Sequence, residues 1–267
     1  GRAHYAAETG NPDADQWFVK HYPHQPFGWI PKRAVYRIES EDLITWSDPI
    51  RVLAPGSEHN LDDAFYALAT FRMGRYHCGL MPVFHMVANT KDTELVYSHD
   101  GLDWNHFAHG PWVIPRGGEG AWDEFQMDTV IPPFRVGDKH YIFYGGADFH
   151  HDWHTVGKSQ RLDTPETKLT IDELNEALGL ATMRLDGFVS LDAEDLSGSV
   201  LTRPFRIPGK RLFVNVAAAE GELRAALVNA SGEPIEGFGI DDCRPIRGDQ
   251  QRVEVTWQGN PSLWPLT

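Results

Sequence analysis

Short runs of apolar and β-branched residues, with polar residues interleaved and Gly, Pro, Asn or Asp at each break, set the pattern of this chain. "AVYRIES", "FYALATF", "YHCGLMPVF", "ELVYS", "HYIFYGG", "GLATMRL", "RLFVNVAA", "LRAALVN" and "RVEVTW" all read as strands. A helix signal stands apart in "LTIDELNEAL", where Thr170 followed three residues later by Glu173 makes a capping box. "MVANTKDTE" reads as a plain hairpin loop. After about residue 192 the alternation has a period near two, with turns every ~8–12 residues, the pattern of a small β-sandwich.

Two segments repeat. "FRMGRYHCGL" (71–80) and "FRVGDKHYIF" (134–143) share Phe-Arg-x-Gly before a β run, offset by 63 residues. "SEDLITW" (40–46) and "SHDGLDW" (98–104) share Ser-x-Asp-x-x-x-Trp. Asp and Ser oxygens at such spacing bond turn amides, so the motif is a structural turn whose Trp is expected between neighbouring units. A repeat of ~40–60 residues carrying four strands marks a β-propeller blade. The expected fold is all-β: an incomplete propeller of about three blades over residues 1–192, then a β-sandwich over 193–267.

Composition narrows the partners. Acidic residues number 38 against 24 basic, a formal charge of -14, with no basic stripe of the kind a phosphate backbone requires. Nucleic acid and an anionic membrane surface are therefore not expected as partners. No apolar run approaches the ~20 residues of a spanning helix. Cys78 and Cys243, the two cysteines, form neither a disulfide framework nor a zinc knuckle. The chain's 9 Trp, 8 Tyr and 14 Phe serve mainly as core, and flat rings also suit sugar-binding clefts.

Units ending in "SEDLITW" and "SHDGLDW" resemble the five-bladed propeller glycoside hydrolases of families 43 and 32. "WDEFQMDTVIPPFRVGDKHYIFYGG", "GLATMRLDGFVSLDA" and "KRLFVNVAAAEGELRAALVNASGEPIEGFGIDDCRPIRGD" resemble bacterial family-32-like proteins, over roughly residues 33–260. The resemblance implies a propeller followed by a jelly-roll-like sandwich, a carbohydrate substrate, and a secreted or periplasmic protein. Only parts of three units are present and the sandwich stops early, so the chain is expected to be a piece of a longer reading frame.

Hydrolysis of a glycosidic bond needs two carboxyl groups, an acid and a base or nucleophile, flanking that bond. In the resembled enzymes such acids stand at or just before the innermost strand of different blades. That places Asp62 and Asp63, before "AFYALATF", as one candidate source, and Asp128 and Glu124, in "WDEFQMD", as the other. Adjacent Asp62 and Asp63 diverge in extended backbone, so at most one lines the site. The resembled enzymes often carry Arg-Asp-Pro or Asn-Asp-Pro here, and this chain has "LDDAF". Asp128 sits between Met127 and Thr129 in an apolar strand, an unfavourable place for an unpaired carboxylate and one that suits a general acid. Trp29, Trp122, Asp123, His150, His151 and His154 are candidate substrate contacts around the mouth of the propeller. The "DFHHDWHT" histidines sit in a loop after "YGG" with no HExxH helix, so they read as sugar contacts or an exposed loop rather than a metal site. No metal and no cofactor are expected.

The function expected is hydrolysis of a terminal glycosidic bond through paired carboxylates. The alternatives are a non-catalytic carbohydrate-binding propeller and, further off, a sialidase-like enzyme with Arg72 and Arg135 at matched repeat positions.

Overall fold

The computed structural model describes residues 2–6, 29–107, 112–152, 168–193, 196–206 and 209–258, with residues 2–6 and 29–32 described by backbone alone. Among the described residues the elements are strands apart from isolated helical turns. The chain divides into two compact units, Gly1–Met183 and Arg184–Thr267.

Two small antiparallel ladders come first in the N-terminal unit: β1 (Arg2–Ala6) with β2 (Trp29–Arg33), and β3 (Val35–Arg37) with β4 (Ile50–Leu53). The repeat then appears as two assemblies of the same design. In the first, β5 (Asp63–Phe65) and β6 (Ala69–Met73) run one after the other along the same edge of β7 (Tyr76–His85). Next in order come β8 (Thr90–Ser98) and β9 (Trp104–His106). In the second, β10 (Gln126–Asp128) and β11 (Phe134–Val136) run along one edge of β12 (Lys139–Ala147), and β13 (Glu176–Arg184) pairs with β12. Each inner hairpin turns on a glycine in the left-handed region, Gly74 (φ 56°) and Gly137 (φ 62°), where a Cβ would be strained. A parallel contact, Gln126 opposite Lys91, joins the assemblies into one nine-stranded sheet. Among the described residues no sheet closes on itself.

Leu53, Phe65, Met81, Val83 and Val96 form the core of the first assembly, with Val35, Leu68 and Trp104 packed against it. Both Ser-x-Asp turns form as expected. Ser40 Oγ accepts the N–H of Asp42 and Leu43, and Asp42 Oδ1 accepts those of Ile44 and Thr45. Ser98 and Asp100 repeat the scheme on residues 100–103. The tryptophans differ: Trp104 packs on this core, whereas Trp46 is 49% exposed.

Three local expectations are corrected. "MVANTKDTE" is a loop only through Asn89; Thr90 onward is β8, paired along its length with β7 and buried. The helix in "LTIDELNEAL" is one 3-10 turn, Ile171–Glu173. Its capping box forms, with the Glu173 carboxylate accepting the Thr170 N–H and hydroxyl, but from Glu176 the backbone pairs with β12 instead. Tertiary pairing here overrides a signal too short to propagate a helix. "LRAALVN" is not a strand beyond Leu223. There Leu227 exchanges backbone bonds with Phe238 and Ile235 in a tight loop.

In the C-terminal unit, β14 (Phe213–Leu223) and β15 (Ile246–Glu254) form an antiparallel pair. Phe238, Cys243, Ile246, Val255 and Trp257 make its core, and Trp257 Nε1 donates to the Ala225 carbonyl at 2.9 Å.

Candidate active site

The site is built on β8, which carries Thr90, Lys91, Asp92, Thr93 and Glu94 in sequence, all buried. Buried charges persist only when paired, and each has its partner. Lys91 Nζ pairs with Asp128, Asp92 with Arg116 and His85, and Glu94 with His106. Side chains alternate across a strand. Asp92 and Glu94 therefore share one face, and Lys91 and Thr93 the other.

On the first face, Asp63 opens β5 directly opposite His85 of β7. Its Oδ1 lies 2.7 Å from His85 Nδ1, and its Oδ2 accepts the Asn60 N–H at 3.0 Å. His85 Nε2 lies 3.4 Å from Asp92 Oδ2. Asp92 Oδ1 accepts from Arg116 Nε at 2.8 Å, and Arg116 donates onward to the Glu124 carbonyl at 2.8 Å. Ionised carboxylates only accept hydrogen bonds, so a ring facing two of them carries both protons. Burial alone would pull the His85 pKa down, but hydrogen bonds and charge from Asp63 and Asp92 outweigh it and push it up to about 9. Burial likewise works to raise Asp92, and His85 and Arg116 together hold it below its ordinary value. Trp112 lies edge-on to His85, ring centroids 5.4 Å apart.

The second face carries the Lys91–Asp128 pair beside a second histidine. Tyr66 O–H lies 2.9 Å from His151 Nε2, and His151 Nδ1 lies 3.0 Å from Gln126 Oε1. Gln126 Nε2 donates to the Phe149 carbonyl, which fixes the amide's orientation. The Arg33 guanidinium sits over the Tyr66 ring at 3.8 Å, and Lys91 Nζ is 5.7 Å from the same ring centre.

The candidate acids are distributed unevenly over this frame. Asp63 is buried in the His85 line, while Asp62 turns away and accepts the Val87 N–H at 2.9 Å. Asp128 is not an unpaired carboxylate, because Lys91 supplies its counter-charge from the face opposite Asp63. Glu124 is half-buried and accepts the Gly120 N–H at 2.7 Å, and its own carbonyl ends the Asp63 line. Asp123 is buried and accepts from the Tyr144 hydroxyl at 3.2 Å, with the Trp122 ring beside Tyr144 at 5.6 Å. His150 lies against Phe125, ring centroids 3.9 Å apart. His154 and the side chain of Trp29 lie outside the described residues.

His85, Asp92, Arg116 and Trp112 were not singled out from sequence. The available signal was "TKDTELVYS", a run continuous with a β run, with charges of both signs that must be paired if the strand is central. Among the described residues no helix is long and apolar enough to cross a membrane.

No protein family and no curated protein matches this chain. Among solved structures it is similar to a glycoside hydrolase at 15% identity, over 60% of this chain and 38% of that one, with a TM-score of 0.36. It is also similar to an N-acetylgalactosamine deacetylase from F. plautii, solved with blood group B trisaccharide, at 19% identity, over 58% and 42% of the two chains, with a TM-score of 0.39. The chain thus spans about two fifths of the length of these neighbours.

Proposed function

We propose that this protein processes carbohydrate and that its chemistry is hydrolysis of a terminal glycosidic bond. In this reading residues 1–192 belong to a five-bladed-type propeller and 193–267 to a C-terminal sandwich, in a secreted or periplasmic protein. The observation that carries the reading is the buried line from Asp63 through His85, Asp92 and Arg116 to the backbone of Glu124. Buried titratable groups that perturb one another in this way cluster at functional sites. The imidazolium sets a hydrogen bond and a positive charge beside Asp63, the residue this reading makes the base or nucleophile. The line also ties Asp63 to the segment bearing Glu124, whose half-buried carboxyl is the acid of the pair. Asp128, neutralised by Lys91, then belongs to the scaffold and not to the reacting pair. Trp122 and His151 supply sugar contacts.

Asp63→Asn and Glu124→Gln should each lower hydrolysis by about 10²–10⁴-fold, the contribution of a positioned acid or base. Asp128→Asn should leave the rate within a few-fold once its folding is verified. The assay is turnover of a panel of aryl glycosides and plant and mucin oligosaccharides. Undiminished turnover by Asp63→Asn would sink the assignment.

A second reading, a non-catalytic glycan-binding module, draws on a different observation: Asp63, Glu124 and Asp128 each already hold an internal partner. Binding on a glycan array with no turnover of the bound glycans, by wild type and both variants alike, would select it.

A further inference from the structure

We infer that Glu58, His59 and His106 form a binding site for a divalent transition metal of the zinc type. Each offers one ligand atom, and the three atoms lie within 4.8 Å of one another. Glu58 and His59 belong to the turn that leads into β5, and His106 ends β9, so the site brings together two segments on either side of the β7–β8 pair. The His59 and His106 rings meet edge-on, centroids 4.6 Å apart, and both border Phe65 of the core.

Hydrogen-bond chemistry orients both rings. His106 Nδ1 lies 2.8 Å from the buried Glu94 carboxylate. Since a carboxylate accepts, Nδ1 carries the proton and the ring presents its lone pair on Nε2. A buried carboxylate behind a ligating histidine is the arrangement that fixes ring orientation and strengthens the donor in metal sites. His59 Nδ1 accepts the Gly56 N–H at 3.1 Å, so its lone pair sits on Nδ1, and Glu58 Oε1 lies 3.3 Å from that atom. That oxygen–nitrogen spacing matches neighbouring ligands on one ion whose bonds are about 2.0–2.2 Å. A metal would take the His59 lone pair in place of the Gly56 N–H.

The His59 side chain is 2% exposed, while that of Glu58 is 44% exposed and borders the solvent from which an ion would enter. Two imidazoles and one carboxylate suit Zn²⁺ and its neighbours in the first transition row, and offer too few oxygens for Ca²⁺ or Mg²⁺. A bound ion would pin the turn that ends at Asn60, the residue whose N–H holds Asp63. The inference does not depend on the hydrolase reading.

The test uses the chelator-treated, dialysed protein, titrated with Co²⁺ followed by visible absorption and with Zn²⁺ followed by calorimetry. Expected are one equivalent bound, Co²⁺ bands of a low-coordinate site, and a rise in melting temperature with Zn²⁺ but none with Ca²⁺ or Mg²⁺. His106→Ala should abolish binding, Glu58→Gln should weaken it at least tenfold, and Glu94→Gln should weaken it about 10–100-fold. Glu58→Gln changes an exposed side chain and keeps the test valid should a core variant not fold. No stoichiometric binding by folded wild type, or binding that survives both Glu58→Gln and His106→Ala, would overturn the site.

Discussion

The two repeats of the N-terminal unit share a topology and differ in what they bury. Where the first places Asp63, the second places Gln126, each at the start of the strand that opens its assembly. Asp63 meets His85, which another carboxylate clamps from behind, whereas Gln126 meets His151, which a phenol completes. One histidine is thus held charged between two acids, and the other lies between an amide and a hydroxyl, with the Asp152 carboxylate 3.7 Å from its Nε2. Burial follows the same division. The middle strands β7 and β8 are covered along nearly their whole length, while β12 is mostly half-buried and β13 exposes much of its length, including Leu178 and Leu180. A charged network is retained where desolvation makes it most costly, so the first repeat is where chemistry should be sought.

The comparison can be broken most directly by removing one member from each network. Asp92→Ala leaves His85 and Arg116 short of their shared partner and should lower stability by about 3–5 kcal/mol. Gln126→Ala removes neutral hydrogen bonds and should lower it by about 1–3 kcal/mol. Denaturant unfolding of the two variants measures both, and equal losses would erase the distinction.

A somewhat smaller effect follows from pH. The His85 pKa rises from 6.5 to about 9 on folding, so its contribution is complete below about pH 6.5 and is lost as pH climbs through 9. That loss is on the order of 3 kcal/mol. Asp92 behaves oppositely: its depressed pKa stabilises above the ordinary carboxylate range and fails in acid. Stability should therefore be greatest between roughly pH 4 and 6.5. NMR titration of the His85 ring checks the first value, and His85→Asn should flatten the alkaline limb.

The smallest effects come from the paired Ser-x-Asp turns. Hydrogen bonds from turn amides, those of Thr45 and Ile44 to Asp42 and those of Leu102 and Asp103 to Asp100, lower both acids to about 2. Asp100→Ala should reduce the melting temperature more than Asp42→Ala, because the Ser98 turn adjoins the covered β8–β9 edge. Both differences should disappear as pH falls through 2, which a series of thermal melts at descending pH would show.

What could be read from the residues and what could not separates along the same physical line. Strands with apolar alternation, the Gly-turned hairpins and the Ser-x-Asp turns announced themselves, since each depends on local chemistry. The 63-residue offset correctly matched β6–β7 to β11–β12. Hidden was the first half of β8, because "TKDTE" is polar and looks like a loop until its partners are known, whereas "ELVYS" was legible as a strand. Those partners, Asp128, Arg116, His85 and His106, lie between seven and 37 residues away along the chain and meet only through pairing. For the same reason Asp63 was identified and its histidine was not. "LTIDELNEAL" failed in the other direction, a correct local cap giving way to an edge of β12.

The seam between the repeats has a consequence for motion. Lys91 gives its N–H to the Phe125 carbonyl, Phe125 gives its own to Ala147, and Thr93 accepts from Val113 while its hydroxyl receives that of Thr129. The Lys91–Phe125 and Thr129–Thr93 bonds cross from one repeat to the other, and the Phe125–Ala147 bond anchors the first of them within the second repeat. In deuterated solvent the Lys91 amide should exchange only through openings that part the two assemblies, making its exchange rate a clock for their joint unfolding.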